Sequence, residues 1–235
     1  IDEVGEAGCS SLSRDGKFIY MDVDLKDGHK GIVKLSTDGK QADIIFKHKN
    51  ITHVQVEPRD GEVVAFQSDD IDKRCSDKNI NIWLLDNDGN NLRPLKIKCG
   101  NGHWMWVSHT KRIMSNMQDC CWGIFVLGEK DEIPEKIVSG DKTYWHASCS
   151  QDGKWIISDT NWPDSGLQLI NMKTRKHTVL CYPQSSSGHP QWTHPHPSFS
   201  PDGKFVIYNS DSTGIPHVYL VEIPQEILYE LSKVD

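Results

Sequence analysis

Apolar positions along this chain fall into short runs of four to six residues, each bounded by polar turn residues. No run carries a helical period until the C-terminal tail. Five of the runs follow one kind of turn. Ser13-Arg14-Asp15-Gly16-Lys17 leads into Phe18-Ile19-Tyr20-Met21, and Pro58-Arg59-Asp60-Gly61-Glu62 into Val63-Val64-Ala65-Phe66. Ser150-Gln151-Asp152-Gly153-Lys154 leads into Trp155-Ile156-Ile157-Ser158, and Ser200-Pro201-Asp202-Gly203-Lys204 into Phe205-Val206-Ile207-Tyr208. A degenerate copy, Ser108-His109-Thr110-Lys111, leads into Arg112-Ile113-Met114-Ser115. The turns recur 43 to 50 residues apart. Asp-Gly between two apolar runs is a hairpin signal, because glycine accepts the positive φ that such turns need.

Most units carry a second run, such as Gly31-Ile32-Val33-Lys34-Leu35 or Leu167-Gln168-Leu169-Ile170. Some add a further turn and a fourth run, as in Ala42-Asp43-Ile44-Ile45-Phe46. Four short antiparallel strands per repeat of this length predict an all-β chain with the blades of a β-propeller. Five blades are legible, at roughly 1–50, 51–100, 101–143, 144–190 and 191–223, in one propeller domain spanning 1–235. Residues 224–235 form a tail whose 224–231 stretch predicts one short helix. The last blade shows no clear fourth strand, so either residues 1–6 complete it or further blades lie upstream.

Composition narrows the function classes. Hydrophobic content of 37%, charged content of 25% and a formal charge of −7 are ordinary for a globular chain. No block of Lys and Arg stands out, which argues against a nucleic-acid partner. No apolar run approaches the length of a membrane span. Seven cysteines, an odd number without a C-x-x-C pair, do not suggest a disulfide framework and favour a reducing compartment. No leader peptide is legible; the chain opens at Ile1 rather than Met, so processing or truncation is compatible with it. The cytoplasm is the favoured location and the periplasm the alternative.

Candidate chemistry sits in Gln191-Trp192-Thr193-His194-Pro195-His196-Pro197. On an extended strand, His194 and His196 would share one face, with the Gln191 amide oxygen within reach. The repeat extends the set. Six residues before the Asp of each turn, or before its His109 counterpart, stand His196, His146, His103 and Cys9; His53 stands seven before Asp60. Equivalent positions at the start of innermost strands would crowd one end of a central channel. Neutral imidazoles with an amide oxygen suit a borderline divalent metal, with Mn²⁺, Zn²⁺, Ni²⁺ and Fe²⁺ all compatible. The set contains no carboxylate, so a cation there would attract an anionic ligand.

The motif Gln191-x-x-His194-Pro195-His196-Pro197-Ser198-Phe199-Ser200-Pro201-Asp202-Gly203-Lys204 resembles the C-terminal blade of the oligogalacturonate lyases, β-propeller polysaccharide lyases of family 22. The resemblance runs back through His146-x-x-x-Ser150-x-Asp152-Gly153-Lys154 with Ile157-Ser158-Asp159, Gly102-His103-x-x-Trp106 and Ile82-Trp83-x-x-x-Asn87-Asp88-Gly89. It implies that His146, Gln191, His194 and His196 hold a divalent metal, Mn²⁺ foremost, and that His103 is the general base. The implied reaction is β-elimination on short oligogalacturonides. A cation on the uronate carboxylate acidifies the proton at C5, and a neutral imidazole removes it.

Two departures from the family stand out. Its arginine position near Trp83 holds Asn81, leaving Arg74, with His53, as candidates to bind the anionic substrate. The family usually has seven blades, and five are legible here. The alternatives are a lyase for another uronate polymer such as ulvan, and a non-catalytic propeller of the TolB type that binds a protein or glycan. Trp104, Trp106, Trp122, Trp145, Trp162 and Trp192 offer stacking surfaces or inter-blade packing, and Lys111-Arg112 a second uronate contact or a solvated turn. His109, His189 and His217 read as surface residues.

Overall fold

The computed structural model describes residues 4–71, 82–95, 103–118, 121–140, 142–188 and 191–234. Its strands form five antiparallel sheets, and each consists of consecutive strands. The first contains β1 (Val4–Leu12), β2 (Phe18–Leu25), β3 (Lys30–Ser36) and β4 (Ala42–His48). The second contains β5 (Thr52–Val56), β6 (Val63–Gln67), β7 (Ile82–Asp86) and β8 (Arg93–Pro94). The third contains β9 (Trp104–Trp106), β10 (Arg112–Gln118), β11 (Cys121–Gly128) and β12 (Glu135–Ser139). The fourth contains β13 (Tyr144–Cys149), β14 (Trp155–Thr160), β15 (Leu167–Asn171) and β16 (His177–Cys181). The fifth has three strands, β17 (Ser198–Phe199), β18 (Phe205–Ser210) and β19 (His217–Glu222), and helix α1 (Gln225–Ser232) follows it. These are propeller blades, as the repeat predicts. Residues from Val4 onward pair with β2 in the first blade, so the expectation that 1–6 complete the last blade is corrected for the described part of that stretch.

The turn motif recurs because its side chains replace missing ladder bonds. Ser13, Ser150 and Ser200 each donate a hydroxyl hydrogen bond to the Asp two residues on, at 2.7, 2.7 and 2.6 Å. Each serine oxygen also accepts the backbone N–H that opens the next strand: Phe18, Trp155 and Phe205 at 2.9, 3.0 and 3.0 Å. The second blade has Glu57 instead, fully buried, whose carboxylate accepts the N–H groups of Arg59, Asp60 and Gly61.

The chain divides into two compact units. The first (1–100, 110–112 and 127–134) packs Tyr20, Ile32, Val54, Phe66, Trp83 and Leu85 into one core, with Val23, Leu25 and Val33 in a smaller cluster. The second (101–109, 113–126 and 135–235) packs Val107, Met114, Ile124, Tyr144, Ile156 and Ile170 together, and Ile157, Leu169, Val206 and Leu231 in a neighbouring cluster. Leu231 belongs to α1, so the tail helix closes one side of that second core. Among the described cysteines, Cys9, Cys121, Cys149 and Cys181 are all thiols.

Candidate functional site

Three imidazoles meet within the second unit. Ligand atoms of His146, His194 and His196 all lie within 4.8 Å of one another. The His146 ring stacks on that of His196 at 3.6 Å and lies 5.4 Å from that of His194. His103 joins from the next blade, its ring 4.5 Å from His146.

Each imidazole reaches this point by a departure from regular strand. In β13 the pairing with β14 slips between Tyr144 and Ala147, so Trp145 and His146 bulge opposite Asp159. Such a bulge re-aims a side chain that would otherwise alternate across the sheet. His194 and His196 do not lie on an extended strand, which corrects that expectation. Residues 191–193 form a turn of 3₁₀ helix, and β17 begins only at Ser198. Pro195 and Pro197 supply no N–H to a ladder, and His196 has φ of +43°, a left-handed conformation that costs a non-glycine residue energy. The surroundings hold it there: the backbone N–H of Asn209 donates to the Pro195 carbonyl at 2.8 Å, and that of His196 to Asp159 at 3.3 Å. Ahead of the 3₁₀ turn, Asp211 accepts the N–H and hydroxyl of Ser186 at 2.8 and 2.6 Å, and Gly188 N–H donates to Thr193 at 2.8 Å.

Asp159 is a residue to which the sequence assigned no role. It is buried in β14, and its Oδ1 accepts the His146 N–H at 2.6 Å while Oδ2 lies 2.8 Å from His146 Nδ1. Burial pushes its pKa up to about 6, and the His146 and His196 N–H groups pull it back. Both of its oxygens accept backbone N–H groups, so it is the acceptor toward the ring as well and His146 Nδ1 carries the proton. Burial, and then the neighbouring imidazoles, hold His146 down to about 3 and His196 down to about 4. All this keeps the rings neutral and their lone pairs available.

These residues fit a divalent cation. His146 Nε2 is buried and has no hydrogen-bond partner among the described residues, an arrangement that is costly without a ligand. A carboxylate behind a histidine that presents its other nitrogen is the usual support of a metal-ligating imidazole. Gln191 is exposed at the start of the 3₁₀ turn, three residues ahead of His194. His53 belongs to the first unit, where it has φ of +55° and its Nδ1 lies 3.2 Å from Thr52 Oγ1. Arg74 and Asn81 lie outside the described residues, as do Gly102 and His189.

An aromatic wall flanks the imidazoles. Trp145 lies 5.2 Å from Trp122 and 6.1 Å from Trp162, and Trp162, 61% exposed, stands edge-on to His194 at 6.4 Å. Trp104 and Trp106 are buried as packing, and Trp192 is exposed. Lys111 pairs with Glu62 and Asp60 at 2.6 and 3.1 Å, and Arg112 with Asp131 at 3.6 Å, so both cations of that turn have carboxylate partners. His109 and His217 are exposed.

Known proteins bear on this arrangement. A family model described as oligogalacturonate lyase matches residues 107–227, just over half of the chain. An oligogalacturonate lyase of Dickeya dadantii is 27% identical over 221 residues, covering 80% of this chain and 54% of that protein. The chain thus spans about half the length of the curated relatives it matches. An oligogalacturonate lyase solved in complex with manganese superposes with a TM-score of 0.78 at 20% identity, over 95% of this chain and 68% of that one. TolB from Acinetobacter baumannii superposes at 0.70 with 14% identity, over 92% of this chain and 52% of that one, so the two share a fold. The sequence match covers β13 to β19, the segment that brings His146, His194 and His196 together. The chain belongs to the oligogalacturonate lyase family.

Proposed function

We propose that this chain carries the metal centre and proton acceptor of a lyase that cleaves short oligogalacturonides by β-elimination. The convergence of His146, His194 and His196, with His103 at 4.5 Å, is the observation that carries this reading. A divalent cation held by the three imidazoles with Gln191, Mn²⁺ foremost since a manganese complex is known for a relative, would supply Lewis-acid binding of the substrate carboxylate.

The chain's own residues do the rest. His103 takes the proton from C5 of the uronate; the C–H electron pair becomes the C4–C5 double bond, and the C4–O bond breaks toward the departing sugar. His103 suits the task because a neutral imidazole accepts a proton near neutral pH. Its backbone is fixed by an N–H donated to Asn116 Oδ1 at 2.8 Å. Trp122, Trp145 and Trp162 offer ring faces to the apolar side of a neighbouring sugar and shield the reacting carbon from water.

Incubating the chain with digalacturonate or trigalacturonate and Mn²⁺ at neutral pH, while following the ultraviolet absorbance of the unsaturated product, tests the reading. A parallel keto-acid assay guards against a product that rearranges. Absence of product in both assays overturns it in favour of a non-catalytic glycan-binding propeller.

A further inference from the structure

The repeat that places the histidines also places a polar residue at one fixed position in each blade. Seven residues after the Asp of each turn, or after its His109 counterpart, stand Asp22, Gln67, Asn116, Asp159 and Asn209. Each lies in the second strand of its blade. In the second unit two of these can be compared directly. Asn116 Oδ1 accepts the His103 N–H at 2.8 Å, and Asp159 Oδ1 accepts the His146 N–H at 2.6 Å. The backbone task is the same.

The second atom of each side chain does something different. Asp159 Oδ2 faces the His146 ring at Nδ1, 2.8 Å away, and also accepts the N–H of His196. Asn116 has an amide nitrogen there, which donates to the carbonyls of Tyr144 and Trp145 at 3.0 and 2.6 Å. An amide N–H₂ cannot accept a proton from an imidazole N–H. Asn116 therefore holds the His103 backbone and gives its ring no carboxylate, whereas Asp159 holds both backbone and ring of His146.

We infer that Asp159 is a positioning residue that fixes His146 as the Nδ1–H tautomer with Nε2 presented to the cation, whereas Asn116, at the same repeat position of the third blade, has no carboxylate to do this for His103. The link to the cation rests on the proposed metal centre; the tautomer does not. Asp159 also ties the first imidazole to the third, since its one carboxylate takes the backbone of His196 as well.

The tautomer can be read without metal or substrate. In the metal-free chain labelled with ¹⁵N-histidine, long-range ¹H–¹⁵N correlation spectra should show His146, assigned with a His146→Gln variant, as Nδ1–H at neutral pH. An Nε2–H signal in the unaltered chain overturns the inference whether or not any variant folds. Asp159→Asn keeps the acceptor of the His146 N–H and replaces Oδ2, which serves the His146 ring and the His196 N–H. It should move His146 to Nε2–H and weaken Mn²⁺ binding about 10- to 100-fold, the range typical of a lost support behind a ligand. An unchanged tautomer together with unchanged Mn²⁺ affinity overturns it. If the unaltered chain shows Nδ1–H yet binds no Mn²⁺, the metal reading fails and the positioning role stands.

Discussion

His194 and His103 separate the two chemical tasks assigned to the imidazoles. His194 is 1% exposed and its ring lies between those of His146 and Trp162, so truncating it opens one side of the trio without touching a surface contact. His194→Ala should lower bound Mn²⁺ by more than the roughly 100-fold upper range for a lost supporting residue, since a ligand itself is lost. Elemental analysis after dialysis checks this, and metal content equal to the parent's would remove His194 from the ligand set. His103→Ala should behave in the opposite way. Metal content should hold, while turnover of trigalacturonate falls by about 10²- to 10⁴-fold, the usual range for losing a general base. What the sequence could show at this scale was the recurrence of histidine before each turn. It could not show the bulge at Trp145-His146, because nothing in the composition of β13 departs from an ordinary strand. Asp159 was equally hidden, although its periodic equivalence to Asn116 was present in the spacing. An acid between Ser158 and Thr160 carries no sign of which backbone it will meet.

The blade is held at its turns by a device that can be weighed one hydrogen bond at a time. Ser150 is buried, donates to Asp152 and accepts the Trp155 N–H at 3.0 Å. Ser150→Ala leaves that N–H without its acceptor and should cost about 1 kcal/mol of stability, the net worth of one such bond. Urea unfolding of the two proteins measures it. The aspartates of these turns add a pH dependence. Hydrogen bonds from Ser13, Ser36 and Ser200 lower the pKa of Asp15, Asp38 and Asp202 in the folded chain. A carboxylate with a lowered folded pKa contributes stability above its unfolded value, about 3.9, and loses it as pH falls below that. Asp202→Asn should therefore be less stable than the parent at neutral pH, with the difference shrinking in acid. A difference that stays constant from neutral to acid pH would show that the charge is not involved. These turns were the most legible part of the fold, because Asp-Gly and the serine two residues before the Asp act locally. The loop from Gln191 to Pro197 was the least legible. Its two prolines and the left-handed His196 depend on partners at Asp159 and Asn209, which no local pattern connects to it.

For the whole chain the decisive quantity is charge. Its 33 acidic and 26 basic side chains leave a formal −7, and an oligogalacturonate is a polyanion. Long-range electrostatics thus oppose the encounter, by an amount that salt should reduce, since screening acts over about 10 Å at 0.1 M. Among the described residues, the site offers little to reverse this. Burial keeps His146 and His196 neutral at any pH near 7, and Asp159 behind them is a carboxylate. Lys111 and Arg112, the cationic pair the sequence offers in the third repeat, are spent on Glu62, Asp60 and Asp131. On the proposed reading, positive charge at the imidazole trio comes from the cation it would hold. Chelated protein should show no saturable binding of digalacturonate by calorimetry, and stoichiometric Mn²⁺ should restore it. Binding to the restored protein should hold or strengthen slightly as salt rises toward 0.1 M, since net repulsion is screened there while a contact to the cation is at close range. If chelated protein bound digalacturonate as tightly as the Mn²⁺-loaded form, recognition would rest on protein side chains, and the trio would lose its place as the point where the substrate carboxylate is held.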